Sequence, residues 1–99
     1  EDVSYNLGSK LMLTATYYET DEIEPLYSLL ESFRAYLNRH KEIPNQRRKN
    51  YLNLIKFTKK LTKVIPGDKK AIDKLKQEID SSGGIMNEEW LKEKIAELE

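Results

Sequence analysis

Leu26, Leu29, Leu30, Phe33 and Leu37 advance by steps of three, one, three and four residues, which sets all five on one side of a helix turning once in about 3.6 residues. This stripe predicts a long amphipathic helix over about residues 22–41. No feature constrains the chain more, because a side so apolar has to be covered. No stretch alternates apolar and polar residues with period two between turn signals, so the cover is expected to come from other helices and not from a sheet.

The rest of the chain supplies them. Tyr51, Leu54, Ile55, Thr58, Leu61 and Ile65 form a second stripe behind Pro44, predicting a helix over about residues 44–64. Pro66, Gly67 and Asp68 break it. Asp68 is placed to cap a helix over about 68–81 with Ile72, Leu75 and Ile79 inward, ended by Ser81, Ser82, Gly83 and Gly84. Asn87 is placed to cap the last helix, about 87–98, with Glu88 and Glu89 in its first turn, Met86 positioned to staple onto Leu91, and Leu91, Ile95 and Leu98 inward. Towards the start, Leu7, Leu11, Ala15 and Tyr18 recur at helical spacing over about 4–19. Met12, Leu13 and Tyr17 widen that stripe beyond one face, the pattern of an inner helix. The expected fold is all-α: about five antiparallel helices in helical hairpins.

At 99 residues the chain is read as one helical domain, 1–99. It begins with Glu1 and closes on Leu98 and Glu99, which is read as a piece cut from a longer protein. The chain holds no cysteine, so neither a disulfide framework nor a thiolate metal site is available to it, and a reducing, cytoplasmic setting fits. No uninterrupted apolar run is longer than residues 11–13, far below the roughly 20 residues a membrane helix needs. No membrane association is expected.

Glu19, Asp21, Glu22 and Glu24 cluster ahead of the second helix. A metal or acid–base site would need converging ligands or a pair of groups with opposed pKa values, and no second cluster in the chain offers a histidine or cysteine to complete it. Helix-start chemistry accounts for the acids: the first turn favours negative charge, Asp21 and Glu24 have capping-box spacing, and Pro25 is tolerated there. The only histidine, His40, continues the Leu26 to Leu37 stripe and is read as a packing residue at the helix end. Trp90 is read as an anchor at the rim of the core. No nucleophile, base and stabiliser come together, so no enzyme, cofactor or metal is expected.

The net charge of zero conceals three blocks. Residues 1–33 hold seven acids against one base, residues 34–63 ten bases against one acid, and residues 64–99 nine acids against six bases. The helix dipole accounts for Arg39, His40 and Lys41 at a C-terminal end, but it disfavours Arg47, Arg48 and Lys49 at the start of the next helix. Lys49, Asn53, Lys56, Lys60 and Lys63 share one face, and Lys56 with Lys60 is a repulsive i,i+4 pair. Relief would come from the acids at 19–24, from Asp73, Glu78 and Asp80, or from outside: an acidic protein, or nucleic acid with Tyr51 or Phe57 stacking on bases.

Within LTATYYETDEIEPLYSLLESF, residues 13–33, the first hairpin resembles a tetratricopeptide-type repeat. The resemblance puts Leu13 and Tyr17 among the large residues of its helix A, and Ile23, Leu26, Leu30 and Phe33 in its helix B. It departs at Asp21, where the family's turn has glycine, and at Leu26, where it has a small residue. The turns at Asp21 and Gly67 are 46 residues apart, nearer the period of other α-solenoids. RRKNYLNLIKFTKKL, residues 47–61, is similar to segments near the ends of large bacterial helical-repeat proteins. Together these imply a terminal solenoid segment that presents a helical surface to a protein partner, with Tyr17 or Tyr18 in a peptide groove. The alternative is a nucleic-acid-binding helical domain. In either case the candidate partner-binding residues are Arg39, Lys41, Arg47, Arg48, Lys49, Lys56, Lys60 and Lys63; the oligomeric state is left open.

Overall fold

The protein is described by a computed structural model covering residues 2–99; Glu1, counted above in the first acidic block, lies outside the described residues. Five helices follow one another: α1 Val3–Glu19, α2 Ile23–Arg39, α3 Asn45–Thr62, α4 Lys69–Asp80 and α5 Glu88–Ala96. The described residues contain no strand. The fold is all-α. The chain divides into two compact units, one running as far as His40 and the other Lys41–Glu99.

In the first unit α1 packs on α2, and the three-residue connection between them turns the chain back on itself. Asp2 starts α1, its carboxylate accepting from the Ser4 and Tyr5 N–H groups at 3.0 and 3.5 Å. The core belongs to α2, which buries Leu26, Leu30, Phe33, Tyr36 and Leu37. α1 buries only Leu7 and Thr14. The inner-helix expectation for α1 is therefore overturned. Val3 to Tyr18 contain a single charge, Lys10, and an almost uncharged circumference does not show which side is inward. The buried side is the line of Leu7 and Thr14, seven residues apart. Thr14 can enter it because its hydroxyl donates to the Lys10 carbonyl at 2.7 Å.

The joint between α1 and α2 departs from a capping box. Asp21 takes a left-handed conformation, φ 59, where glycine is normally favoured and aspartate is among the few tolerated alternatives. Glu22 holds the cap position without a side-chain cap bond; its carboxylate accepts instead from the Thr20 hydroxyl at 2.7 Å. A residue shaping the turn at positive φ is not free to cap the helix after it, which is why the Asp21 and Glu24 spacing does not act as a box. At the far end of α2 the His40 ring stacks on Tyr36, centroids 4.0 Å apart.

In the second unit α3, α4 and α5 each pack against the other two. The inner side of α3 is Tyr51, Leu54, Ile55, Phe57, Thr58 and Leu61. α3 ends at Thr62, leaving Ile65 69% exposed, so the expected stripe stops at Leu61. Asp68 caps α4, accepting from the Ala71 N–H at 3.2 Å, and Ile72, Leu75 and Ile79 turn inward. Asn87 stands at the α5 cap position but works differently from expectation: it is left-handed, φ 57, and its side chain makes no cap bond. The α4–α5 loop is fixed from α3, where Asn53 Nδ2 donates to the Gly84 carbonyl at 2.8 Å and the Asn50 carbonyl accepts from the Met86 N–H at 3.1 Å. Gly84 has φ +135, a conformation that L side chains rarely adopt, and this backbone state favours glycine there. α5 buries Leu91 and Ile95 as expected and also Lys94, whose ammonium reaches Glu97 at 3.3 Å and Glu93 at 3.8 Å. Trp90 is half-buried.

Candidate interaction surface

The residues of α3 that face away from its core make a cationic row. At about 100° per residue, Lys49, Lys56 and Lys63, the last at the C-cap position just past α3 and still in a right-handed helical conformation, fall within about 40° of one another, opposite Leu54 and Thr58. All three are exposed, and α3 contains no acid. Of the acids that sequence offered as internal partners, Glu78 engages this face. Its carboxylate holds the Lys60 ammonium at 2.9 Å, while Asp73 pairs with Lys69 inside α4 at 3.4 Å. Lys56 and Lys60 also stand over the Phe57 ring, at 5.2 and 5.9 Å. Beside them a cleft of about 360 Å³ opens between α3 and the end of α4, with Asn53, Lys56 and Glu78 in its wall.

The remaining candidates are placed differently. Arg47 is two residues ahead of Lys49, about 200° round the helix, and does not join the row. The Arg48 guanidinium donates to Asn45 Oδ1 at 3.0 Å, within the first turn. Arg39 closes α2 in the first unit, and Lys41 opens the second. The expected stacking platform is not available: Tyr51 and Phe57 are 2% and 1% exposed, because both point into the core of the second unit.

The Lys60–Glu78 bridge gives stability a pH dependence. The Glu78 carboxyl is held below the ordinary carboxylate range, first by the hydrogen bond from Lys60, against partial desolvation, and then by the charges of Lys60, Lys74 and Lys56. The folded state thus binds this proton more weakly than the unfolded chain. The contribution is complete above the unfolded pKa of about 4.3 and is lost as pH falls through the lower folded value. Urea denaturation at a series of acidic pH values is expected to give a shallower loss of stability in Glu78→Gln than in the unaltered chain. Identical slopes would show that the bridge carries none of this dependence.

A second surface lies on α1, and sequence reasoning placed part of it in the core. Tyr5 is 74%, Met12 69% and Leu13 40% exposed. Leu13 is one of the residues that the repeat resemblance puts among the packing positions, and it turns outward because Leu7 and Thr14 take the inward line. Tyr17 and Tyr18 are both half-buried, so neither is fully given to the core. Gly8 stands on the outer side, where an added Cβ would meet nothing within 4 Å. The lone charge of the helix body, Lys10, lies over the Tyr36 ring at 4.6 Å and leaves the outer side neutral as far as Glu19 at the helix end. The signal that was available is the set of small uncharged residues Ser4, Gly8, Ser9 and Thr16 among the apolar ones.

Between α4 and α5 a groove of about 360 Å³ has Ile79 and Ile95 in its floor. Its rim is closed by ion pairs, Lys76 with Glu99 at 2.8 Å and Lys92 with Glu88 at 3.1 Å; hydrogen bonding to these carboxylates raises both lysines. Among the described residues no group of histidine, cysteine, aspartate and glutamate is arranged to hold a metal ion, and no helix is long and apolar enough to cross a membrane. Comparison of the chain with protein-family models, with curated proteins and with solved structures returns no match.

Proposed function

We propose that the chain is a non-catalytic protein-interaction or scaffold module that works by presenting a helical surface. The observation that carries this reading is the outer side of α1, where Tyr5, Met12 and Leu13 stand exposed on the side turned away from α2. Scattered apolar residues need no explanation on a protein surface, but these gather over residues 5–13, where the outer side of the helix bears no charge before Glu19 at its end, and such patches mark contact sites. Gly8 adds to the argument. A glycine inside a helix costs about 1 kcal/mol relative to alanine, and nothing in the fold needs the space it leaves. Close approach by another backbone would use it.

The α1–α2 hairpin is read as a tetratricopeptide-like unit of an α-solenoid. Asp21 at positive φ, in the turn position that the family gives to glycine, supports this; the bulky Leu26, 0% exposed in place of a small residue, makes the helix pair unlike a regular repeat. The likeness of residues 47–61 to bacterial helical-repeat ends extends the reading to a terminal segment of such a protein in the bacterial cytoplasm.

Nucleic-acid binding is the competing reading, and salt separates the two. Phosphate neutralisation makes affinity fall steeply with log salt. Labelled RNA, single-stranded DNA and duplex DNA, followed by anisotropy at low and near-physiological salt, are expected to show no binding that Lys49→Glu/Lys56→Glu abolishes. These lysines are chosen because, unlike Lys60, neither bridges an acid of the fold. Salt-sensitive binding lost in a folded variant would replace the protein-interaction reading.

A further inference from the structure

We propose that the outward lysine row of α3 docks an acidic amphipathic helix of a protein partner, an inference that rests on the protein-interaction reading above. Lys49, Lys56 and Lys63 are spaced by seven residues, so successive ammonium groups are rooted about 10.5 Å apart along the helix. A partner helix laid alongside advances by the same step every seven residues. Glutamates or aspartates one heptad apart therefore meet all three lysines in register, whichever way the partner runs. The row calls for such a complement: α3 holds no acid, and of the like-charged i,i+4 pair Lys56 and Lys60 only Lys60 is met by Glu78.

The fold already displays the contact in miniature. Glu78, carried on the neighbouring helix α4, seats its carboxylate on Lys60 at 2.9 Å, on the flank of the same row. Leu52, half-buried, lies on this side between Lys49 and Lys56, three residues beyond the first and four before the second. It offers an apolar point that an amphipathic helix would cover and a phosphate backbone would not. The burial of Tyr51 and Phe57 removes the stacking that single-stranded nucleic acid would use.

The probe is a labelled synthetic helical peptide with glutamate at three successive heptad positions and leucine beside each, compared by anisotropy with a rearranged peptide of identical composition. The unaltered chain is expected to prefer the heptad peptide by about fivefold or more, and Lys56→Glu to weaken it by about tenfold or more. Circular dichroism checks that this exposed substitution leaves the fold intact, and Lys56→Gln, which removes charge without reversing it, is expected to fall between. Equal binding of the two peptides, no binding of either, or full affinity in both variants would overturn the proposal. A DNA duplex that displaces the heptad peptide and binds more tightly would assign the row to nucleic acid. Failure of the peptide while both the duplex stays unbound and α1 retains a protein neighbour would remove this inference alone.

Discussion

Replacing Phe57 by alanine is expected to destabilise the protein by about 3–5 kcal/mol. The ring is 1% exposed on the inner side of α3, in a unit where α3 packs on both α4 and α5, so no single neighbour can shift to fill the space. For a small domain whose whole stability is about 5–15 kcal/mol, such a loss lowers Tm by about 12 °C or more. The adjacent position should respond in the opposite direction. Thr58 is 0% exposed, and its hydroxyl meets no hydrogen-bond partner among the described residues. Valine has nearly the same shape, so Thr58→Val relieves a buried polar group and is expected to add about 1 kcal/mol. Thermal and urea unfolding followed by circular dichroism measure both. A loss of less than about 1 kcal/mol in Phe57→Ala would contradict the inward placement of this side of α3.

The second large effect is expected in the first unit, where Phe33→Ala should also cost about 3–5 kcal/mol. Phe33 is 0% exposed and follows Leu26 and Leu30 on the buried side of α2. Met12→Ala provides the contrast. Its side chain is 69% exposed, and a surface change of this kind stays within about 0.5 kcal/mol. If α1 were instead the inner helix, the Met12 variant would cost several times that, and the ranking of the two substitutions tests which helix carries the core.

That contrast also marks how far the sequence could be read. α2 was legible because charged and polar residues alternate with its leucines, so period alone fixes both the helix and its buried side. α3 and α4 were legible for the same reason, and Asp68 announced itself as a cap because it follows Pro66 and Gly67. α1 carries one charge in its body, and with apolar and small residues all round, its inward line depends on what packs against it. Thr14 and Lys94 could not be placed inside from residue type: one is buried by bonding to its own helix, the other by reaching Glu93 and Glu97. Asn87 was correctly located at a cap position, whereas Asp21 stands one residue before the Glu22 cap; both adopt positive φ, a backbone state that capping preferences do not encode.

The candidate surface was legible in part. Spacing alone placed Lys49, Lys56, Lys60 and Lys63 together on one face, and the same helical geometry separates Arg47 from them. Spacing could not tell that Glu78, from among several acids, would take Lys60, because that choice depends on how α4 crosses α3. Nor could it show that Tyr51 and Phe57 would both be withdrawn from the surface. The apolar side of α1 was the least legible, since an exposed and a buried methionine at position 12 fit the same pattern.

The central claim is that the outer side of α1 meets another protein. A photocrosslinking side chain placed at Met12, and for comparison at the exposed Lys70, tests it directly in the cells that make the protein. The account predicts a discrete protein adduct from position 12 that is absent from position 70 and is lost when Tyr5→Glu is introduced into the folded chain. No discrete adduct from position 12, or the same adducts from both positions, would contradict it.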